Sequence, residues 1–381
     1  MSGQLLEKSK NKLSALLEVA RGQKGSLHLE RLDIAGFNQV WKVTDPSVRL
    51  EGVIAIHSLD LGPALGGTRI RPYKNFDEAL EDALRLSQGM TYKSAVAEVG
   101  FGGGKSVIMT DQKTPEMLRS FGEAVQALKG QYIAAEDMGC SSQDCAIMRE
   151  KTPYVVGLLH EKSSGNPAPF TAWGVFRGIQ ATVKKIYGTD SLDGKKVAIQ
   201  GLGSVGALVA DLLFWAGARL TVADVDPSRC REMEIRYGAK TVATEEIHRA
   251  DVDLFVPCAV GGILNDETIP QMRCRGIAGA ANNQLLRPEH GEMLRKQKIL
   301  YAPDFVINAG GLMNVTCELE EGGYHPEQPR EKVHKIYDTL TAIYQIAEKN
   351  QESTSQAALS LAEYRIRYGL GKRLFPPVFH H

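Results

Sequence analysis

The chain has 381 residues, enough for two domains with separate cores. Lys plus Arg and Asp plus Glu both number 45, so neither nucleic acid nor an anionic membrane surface is expected as the main partner. No apolar run reaches the ~20 residues of a membrane helix, and the charged, leucine-bearing start lacks the apolar core of a signal peptide, which points to a cytoplasmic protein.

Leu5, Leu6, Leu13, Leu16, Leu17 and Val19 recur at helical spacing and predict an amphipathic N-terminal helix. QVWKVTD and VRLEGVIAIH read as strands, and the glycines and prolines of LGPALGGTRIRP predict a turn-rich segment without a regular element. Asn75 is placed to cap the helix FDEALEDALRLSQGM, whose first turn carries the acids that suit the dipole. A further helix, TPEMLRSFGEAVQAL, leads to YIAAEDMG, and the Gly/Pro/Ser-rich SSGNPAPFTAWG marks a boundary.

Beyond it, helix and strand alternate: FTAWGVFRGIQATVKKIYG, KKVAIQ, SVGALVADLLFWAG, RLTVADVD, PSRCREMEIRYG, then VDLFVPCA, RGIAGAA and DFVINAGG as short strands. This alternation predicts an α/β fold with a parallel, doubly wound sheet. Two helices close the chain. The expected organisation is a substrate domain over 1–160, a Rossmann-type dinucleotide domain over 161–345 and a return of 346–381 to the first, with the active-site cleft between the domains.

GFGGGKSVIM, Gly100–Met109, suggests a phosphate loop but fails its pattern. Val99 stands where the first glycine is needed, and Val107, Ile108 and Met109 read as a strand where a helix is required. The six cysteines (Cys140, Cys145, Cys230, Cys258, Cys274, Cys317) form no C-x-x-C pair, and the histidines show no metal spacing; reduced structural thiols and no metal site are expected.

A dinucleotide signature is well placed. Gly201, Gly203 and Gly206 follow a strand and open a helix, with Leu202, Ser204 and Val205 between them, and Asp224 ends the next strand. The glycines suit a tight turn, close approach to a pyrophosphate and helix–strand packing. Asp224 suits ribose hydroxyls and repels a 2′-phosphate, so NAD is favoured over NADP; Arg229, five residues on, softens that preference. Lys93 and Lys105 lie among small and apolar residues, where an unpaired charge is costly, and Asp137 follows in AAEDMG. A buried lysine near a second cation has a lowered pKa and can act as a general base.

GPALGGTR, GMTYKSA, GFGGGKSVIM, AAEDMG, SSGNPAPFTAWGV, GLGSVG, GAANNQL and NAGGLMNV, in this order, resemble the amino-acid dehydrogenases of the glutamate, leucine, phenylalanine and valine group, most of all its leucine-acting branch. The resemblance implies that Lys93 binds the substrate carboxylate with the backbone of Gly66 and Gly67, and that Met90 contributes to substrate binding. It also implies that Lys105 is the base, that Asp137 assists proton transfer, and that Thr171 contacts the carboxamide. Asn282 or Asn283, with Asn283 preferred, would orient substrate amine and nicotinamide.

The side-chain pocket would be Leu65, Ala135, Leu312 and Val315, all apolar, with no cation for a glutamate γ-carboxylate. The implied activity is reversible NAD-dependent oxidative deamination of a branched-chain L-amino acid, leucine with isoleucine and valine, to the 2-oxo acid and ammonia. The alternatives are a valine or aromatic preference, or a catalytically inactive NAD sensor. A homo-oligomer is implied, an octamer being the assembly the resemblance suggests.

Overall fold

A computed structural model describes residues 26–158 and 163–380; the expected N-terminal helix lies outside the described residues. The chain forms two compact units. Unit 1 holds residues up to Leu59, Pro63–Met90 and Gly102–Leu158, and unit 2 holds Asp60–Gly62, Thr91–Phe101 and the chain from Leu159 on.

In unit 1, β1 (His28–Leu32), β2 (Gln39–Asp45), β3 (Leu50–Ser58), β4 (Ala64–Arg71), β5 (Gly102–Met109) and β6 (Tyr132–Glu136) form one sheet in the order β1-β2-β3-β5-β4-β6. The pairs β1/β2, β2/β3 and β3/β5 are antiparallel, and β5/β4 and β4/β6 are parallel. Side chains alternate along a strand, so β3 sends Ile54 and Ile56 to one core and Val53 and Ala55 to another. The first core includes Phe121 of α2 (Pro115–Ala127) and Met148 of α3 (Ser142–Arg149); the second includes Ala79 and Ala83 of α1 (Phe76–Ala97). Asn75 does cap α1, its Oδ1 accepting from the Glu78 amide at 2.9 Å. Helix α1 runs past the predicted GM and carries Lys93 in its final turns.

The predicted turn segment is instead a strand. Residues Ala64–Arg71 form β4, hydrogen-bonded on both sides. The glycines that argue against a strand are what permit this one: a Cβ at Gly66 would lie well inside contact distance of the Gly104 carbonyl oxygen.

Unit 2 is built on an all-parallel sheet of β7 (Lys196–Gln200), β8 (Arg219–Ala223), β9 (Lys240–Thr241), β10 (Leu254–Pro257), β11 (Gly276–Ile277) and β12 (Leu300–Tyr301), in the order β12-β11-β10-β7-β8-β9. This is the dinucleotide-fold order, with its switch point between β7 and β10. The helices are α4 (Ala168–Tyr187), α5 (Ser204–Trp215), α6 (Pro227–Tyr237), α7 (Glu289–Lys296), α8 (Asp304–Ile307), α9 (Gly310–Thr316), α10 (Glu327–Asn350) and α11 (Thr354–Arg367). DFVINAGG, read as a strand, forms α8 and the start of α9. Four apolar-rich residues fit either period, and here the Asp304 carboxylate, accepting from the Phe305 amide at 2.9 Å, satisfies the helical first turn.

The compact units divide the chain differently from the expected domain limits. The C-terminal helices group with unit 2 and take Thr91–Phe101 and Asp60–Gly62 with them. Arg365 donates to the Val96 carbonyl at 2.6 Å and pairs with Glu98 at 2.8 Å, and the Arg373 amide donates to the Leu61 carbonyl at 2.9 Å. Those contacts bind the end of α1 to the C-terminal tail. No helix among the described residues is long and apolar enough to cross a membrane.

Candidate active site

Unit 1 gathers one set of groups on a single face of its sheet. Lys105 lies beside Val107 on β5 at even spacing, so both point toward α1. Arg69 on β4 is in register with Val107 and shares that face. The Lys105 ammonium, on a residue only 4% exposed, lies 2.9 Å from Asp137 Oδ1. Arg69 Nε donates to Asp137 Oδ2 at 2.9 Å, and its Nη1 lies 3.1 Å from Asp82 Oδ2. Tyr73 Oη donates to the same Asp82 oxygen at 2.7 Å, and Arg85 Nη2 donates to Oδ1 at 2.9 Å.

Burial lowers the Lys105 pKa; Asp137 opposes that shift and Arg69 adds to it, with the net effect below the ordinary lysine value. Burial pushes the Asp137 carboxyl up, but Lys105 and Arg69 outweigh it and hold the group below the usual carboxylate range. The result is a lysine that yields a proton more readily than a free one, beside a carboxylate that stays ionised.

The opposite face of the same strands fixes the backbone. Tyr132 Oη donates to the Gly66 carbonyl at 2.8 Å and lies 2.9 Å from Ser106 Oγ, which donates to Thr68 Oγ1 at 2.9 Å. Leu65 and Ala135 are buried in this unit, at 2% and 9% exposure, and Met90 is half-buried on α1.

Unit 2 carries the remaining predicted residues in three places. Lys93 Nζ donates to Asn308 Oδ1 at 2.6 Å, and Asn308 Nδ2 donates to Asn282 Oδ1 at 2.8 Å and to the Ala280 carbonyl at 3.1 Å. The ammonium requires the amide oxygen and the two acceptors require the NH2, which fixes the amide's orientation. Asn282 and Asn283 are exposed, and Asn283 takes a left-handed conformation with φ 52°, which Asn tolerates. Leu312 is buried and Val315 half-buried on α9. Thr171, in the first turn of α4, donates through Oγ1 to the Pro167 carbonyl at 3.0 Å.

The glycine loop sits at the switch point. Gly201 has φ 92°, and a Cβ at Gly206 would collide with the Gly201 carbonyl, so helix and loop meet at backbone distance. The space beside Gly203 is open for 4 Å, and Gly203 caps α5 without a side chain over its amides. Open space against bare helix N–H groups fits a pyrophosphate. Asp224 Oδ2 accepts from the Leu202 amide at 2.6 Å and Oδ1 from the Asp226 amide at 2.9 Å, which ties the β8 carboxylate to the loop. Beside it lies a cleft of about 660 Å³ lined by Asp224, Val225, Pro227, Thr241 and Val242, a fit for an adenosine moiety. Arg229 Nη1 lies 3.6 Å from Asp224 Oδ1. These residues fit a nicotinamide dinucleotide. Among the described residues no group of three or more His, Cys, Asp or Glu is arranged to hold a metal.

Residues 34–154 match the family model Glu/Leu/Phe/Val dehydrogenase, dimerisation domain, and residues 223–368 match Glutamate/Leucine/Phenylalanine/Valine dehydrogenase. The chain belongs to this family of amino-acid dehydrogenases. This member is 46% identical to leucine dehydrogenase of Geobacillus stearothermophilus, over 87% of the chain and 90% of the relative. It is 47% identical to L-tryptophan dehydrogenase of Nostoc punctiforme, over 87% and 94%, and the crystal structure of the L-tryptophan dehydrogenase from that organism superposes with a TM-score of 0.80 at 46% identity, covering 88% of this chain and 97% of that one. Phenylalanine dehydrogenase of Caldalkalibacillus thermarum is 44% identical, over 88% and 92%. Membership makes the family member an NAD(P)-dependent oxidoreductase on small-molecule substrates, while relatives named for three different amino acids stand at near-equal identity.

Two groups escaped the sequence reading. Arg69 stands two residues beyond Gly67, on the Lys105 face once β4 is recognised as a strand. Asn308 lies inside a motif that the family resemblance already used, NAGG, but its tie to Lys93 spans 215 positions.

Proposed function

We propose that the protein catalyses reversible, NAD-dependent oxidative deamination of a branched-chain L-amino acid, leucine with isoleucine and valine, to the 2-oxo acid and ammonium. The observation that carries this reading is the buried Lys105–Asp137 pair. A lysine held at lowered pKa beside an ionised carboxylate suits proton transfer at an amine carbon better than a structural role.

In this reading Lys93 binds the substrate α-carboxylate, with the Gly66 and Gly67 backbone and Met90 beside it. NAD supplies the acceptor for the hydride leaving the α-carbon. Lys105 Nζ takes the proton from the substrate amine and then from the water that adds to the imine carbon, and Asp137 Oδ1 holds and returns it as the carbinolamine breaks down. Asn283 orients the amine, Asn282 and Thr171 the nicotinamide. Overall, amino acid, NAD⁺ and water give oxo acid, ammonium, NADH and a proton.

Leu65, Ala135, Leu312 and Val315 offer apolar contact and no cation, which disfavours glutamate, whose buried carboxylate would lack a partner. An aromatic substrate is the second reading, supported by the relatives that act on tryptophan and phenylalanine; the bulk of Leu312 weighs against a ring. NADH formation at 340 nm with leucine, isoleucine, valine, phenylalanine, tryptophan and glutamate tests the assignment. A branched-chain substrate is expected to give the highest kcat/KM, and an aromatic one in that place would overturn it.

Asp224 supports NAD over NADP. Replacing it by serine removes charge-assisted bonds to ribose and leaves Arg229 to meet a 2′-phosphate. The ratio of kcat/KM for NAD to that for NADP is expected to fall by about 10–100-fold, as loss of ~1.5–3 kcal/mol implies. An unchanged ratio in steady-state kinetics would remove Asp224 from cofactor selection. The protein is further proposed to act in the cytoplasm as a homo-oligomer, octamer included, a state light scattering would report.

A further inference from the structure

We propose that Arg69 is a positioning residue for the Lys105–Asp137 pair, held in place from α1 by Asp82. The inference rests on Lys105 acting as the base. Asp137 has two carboxylate oxygens and the structure gives each one cation: Oδ1 to Lys105 at 2.9 Å and Oδ2 to Arg69 at 2.9 Å. Without Arg69 the carboxylate could rotate, and either oxygen could meet Lys105. With it, Oδ1 has one direction, fixed by a planar guanidinium whose other edge is bound to Asp82.

Asp82 is anchored in turn by Tyr73 Oη and by Arg85, so the chain runs from the end of β4 and the surface of α1 to the base. The side chains of Arg69, Asp82 and Asp137 are 15%, 11% and 23% exposed, which limits screening by solvent. A surface ion pair would not be built with three shared partners.

The charges facing Lys105 are Asp137 beyond β6, Arg69 on β4 and Asp82 on α1, and the further groups facing Arg69 and Asp82 are Tyr73 and Arg85. Arg69 lowers the Lys105 pKa and Asp82 raises it. These opposite signs separate an electrostatic role from a packing one. Activity needs the unprotonated amine, so the acid limb of kcat/KM against pH follows the Lys105 pKa upward or downward.

The test is the pH profile of amino-acid oxidation by R69M, R69K and D82N, with KM, NADH binding and melting temperature for each. R69M is expected to lower kcat by about 10–100-fold, leave KM within about threefold and move the acid limb up by about one pH unit. D82N is expected to move the limb down, and R69K to hold it near the wild-type position while recovering part of kcat. Limbs that stay fixed in R69K and D82N, or that move the same way in R69M and D82N, would reduce Arg69 to a packing residue, and that result stands even if R69M does not fold. Lys105→Ala separates the two layers: wild-type turnover in that variant would sink the base assignment itself, whereas an inactive Lys105→Ala with unmoved limbs elsewhere would sink only the role of Arg69.

Discussion

Replacing Lys105 by alanine is expected to lower kcat for amino-acid oxidation by about 10²–10⁴-fold, the range attached to a positioned general base. The side chain is buried, on the α1 face of β5, and its ammonium meets Asp137 at 2.9 Å. Because the pyrophosphate loop Gly201–Gly206 belongs to unit 2, NADH affinity should remain within about twofold, which separates lost chemistry from lost folding. The pH profile carries the same information. With the Lys105 pKa lowered by burial, the wild-type kcat/KM should rise with pH and reach its plateau before an ordinary lysine would titrate; the residual activity of the alanine variant should lack that limb. A variant that keeps both the rate and the limb would show that another group supplies the base.

Gly66→Ala is expected to have the largest effect on stability. The new Cβ would overlap the Gly104 carbonyl oxygen and crowd the Lys105 amide, both backbone atoms that no rotamer change can move aside. The strands would have to part, breaking the Tyr132 bond to the Gly66 carbonyl as they did so. A loss of about 3–4 kcal/mol in urea unfolding is expected, at the upper end for one substitution. Gly89→Ala is the control: it sits in α1 with nothing within 4 Å of the added carbon, and a gain of about 0.5–1 kcal/mol is expected from helix propensity. Equal stabilities for the two variants would remove the steric argument. Activity should fall in Gly66→Ala even where the protein folds, since Lys105 is carried by the strand that is displaced.

Much of this was legible along the chain, and the reason differs between elements. The short-range features came through: Val107, Ile108 and Met109 read as a strand and are one; Asn75 caps its helix; KKVAIQ, SVGALVADLLFWAG and RLTVADVD fall in the strand–helix–strand order that the glycine spacing requires. Each depends on periodicity or on a cap within a few residues, information that is present in the local sequence. The eight motifs similarly pointed to the family because they are local strings in a fixed order.

The failures share a different cause. GGTRIR was taken from turn composition as irregular, but a glycine pair is also what a strand needs where two backbones approach, and that approach is made by Gly104, 38 positions away in number but adjacent in the sheet. DFVINAGG fits two periods, and the choice between them depends on Asp304 finding an amide to cap. The grouping of Thr91–Phe101 with the C-terminal tail rests on Arg365 reaching carbonyls 269 and 270 positions away.

The sequence by itself therefore determined the alternating α/β architecture, the dinucleotide loop, the family and the lysines placed where a charge must have a partner. Only the tertiary structure decided which partners those are. Asp137 is held by Lys105 and by an arginine 68 residues before it, and Lys93 by an asparagine 215 residues after it. Local periodicity specifies which face of an element a side chain occupies; which other face it meets is set by sheet order and packing, and these are properties of the whole fold.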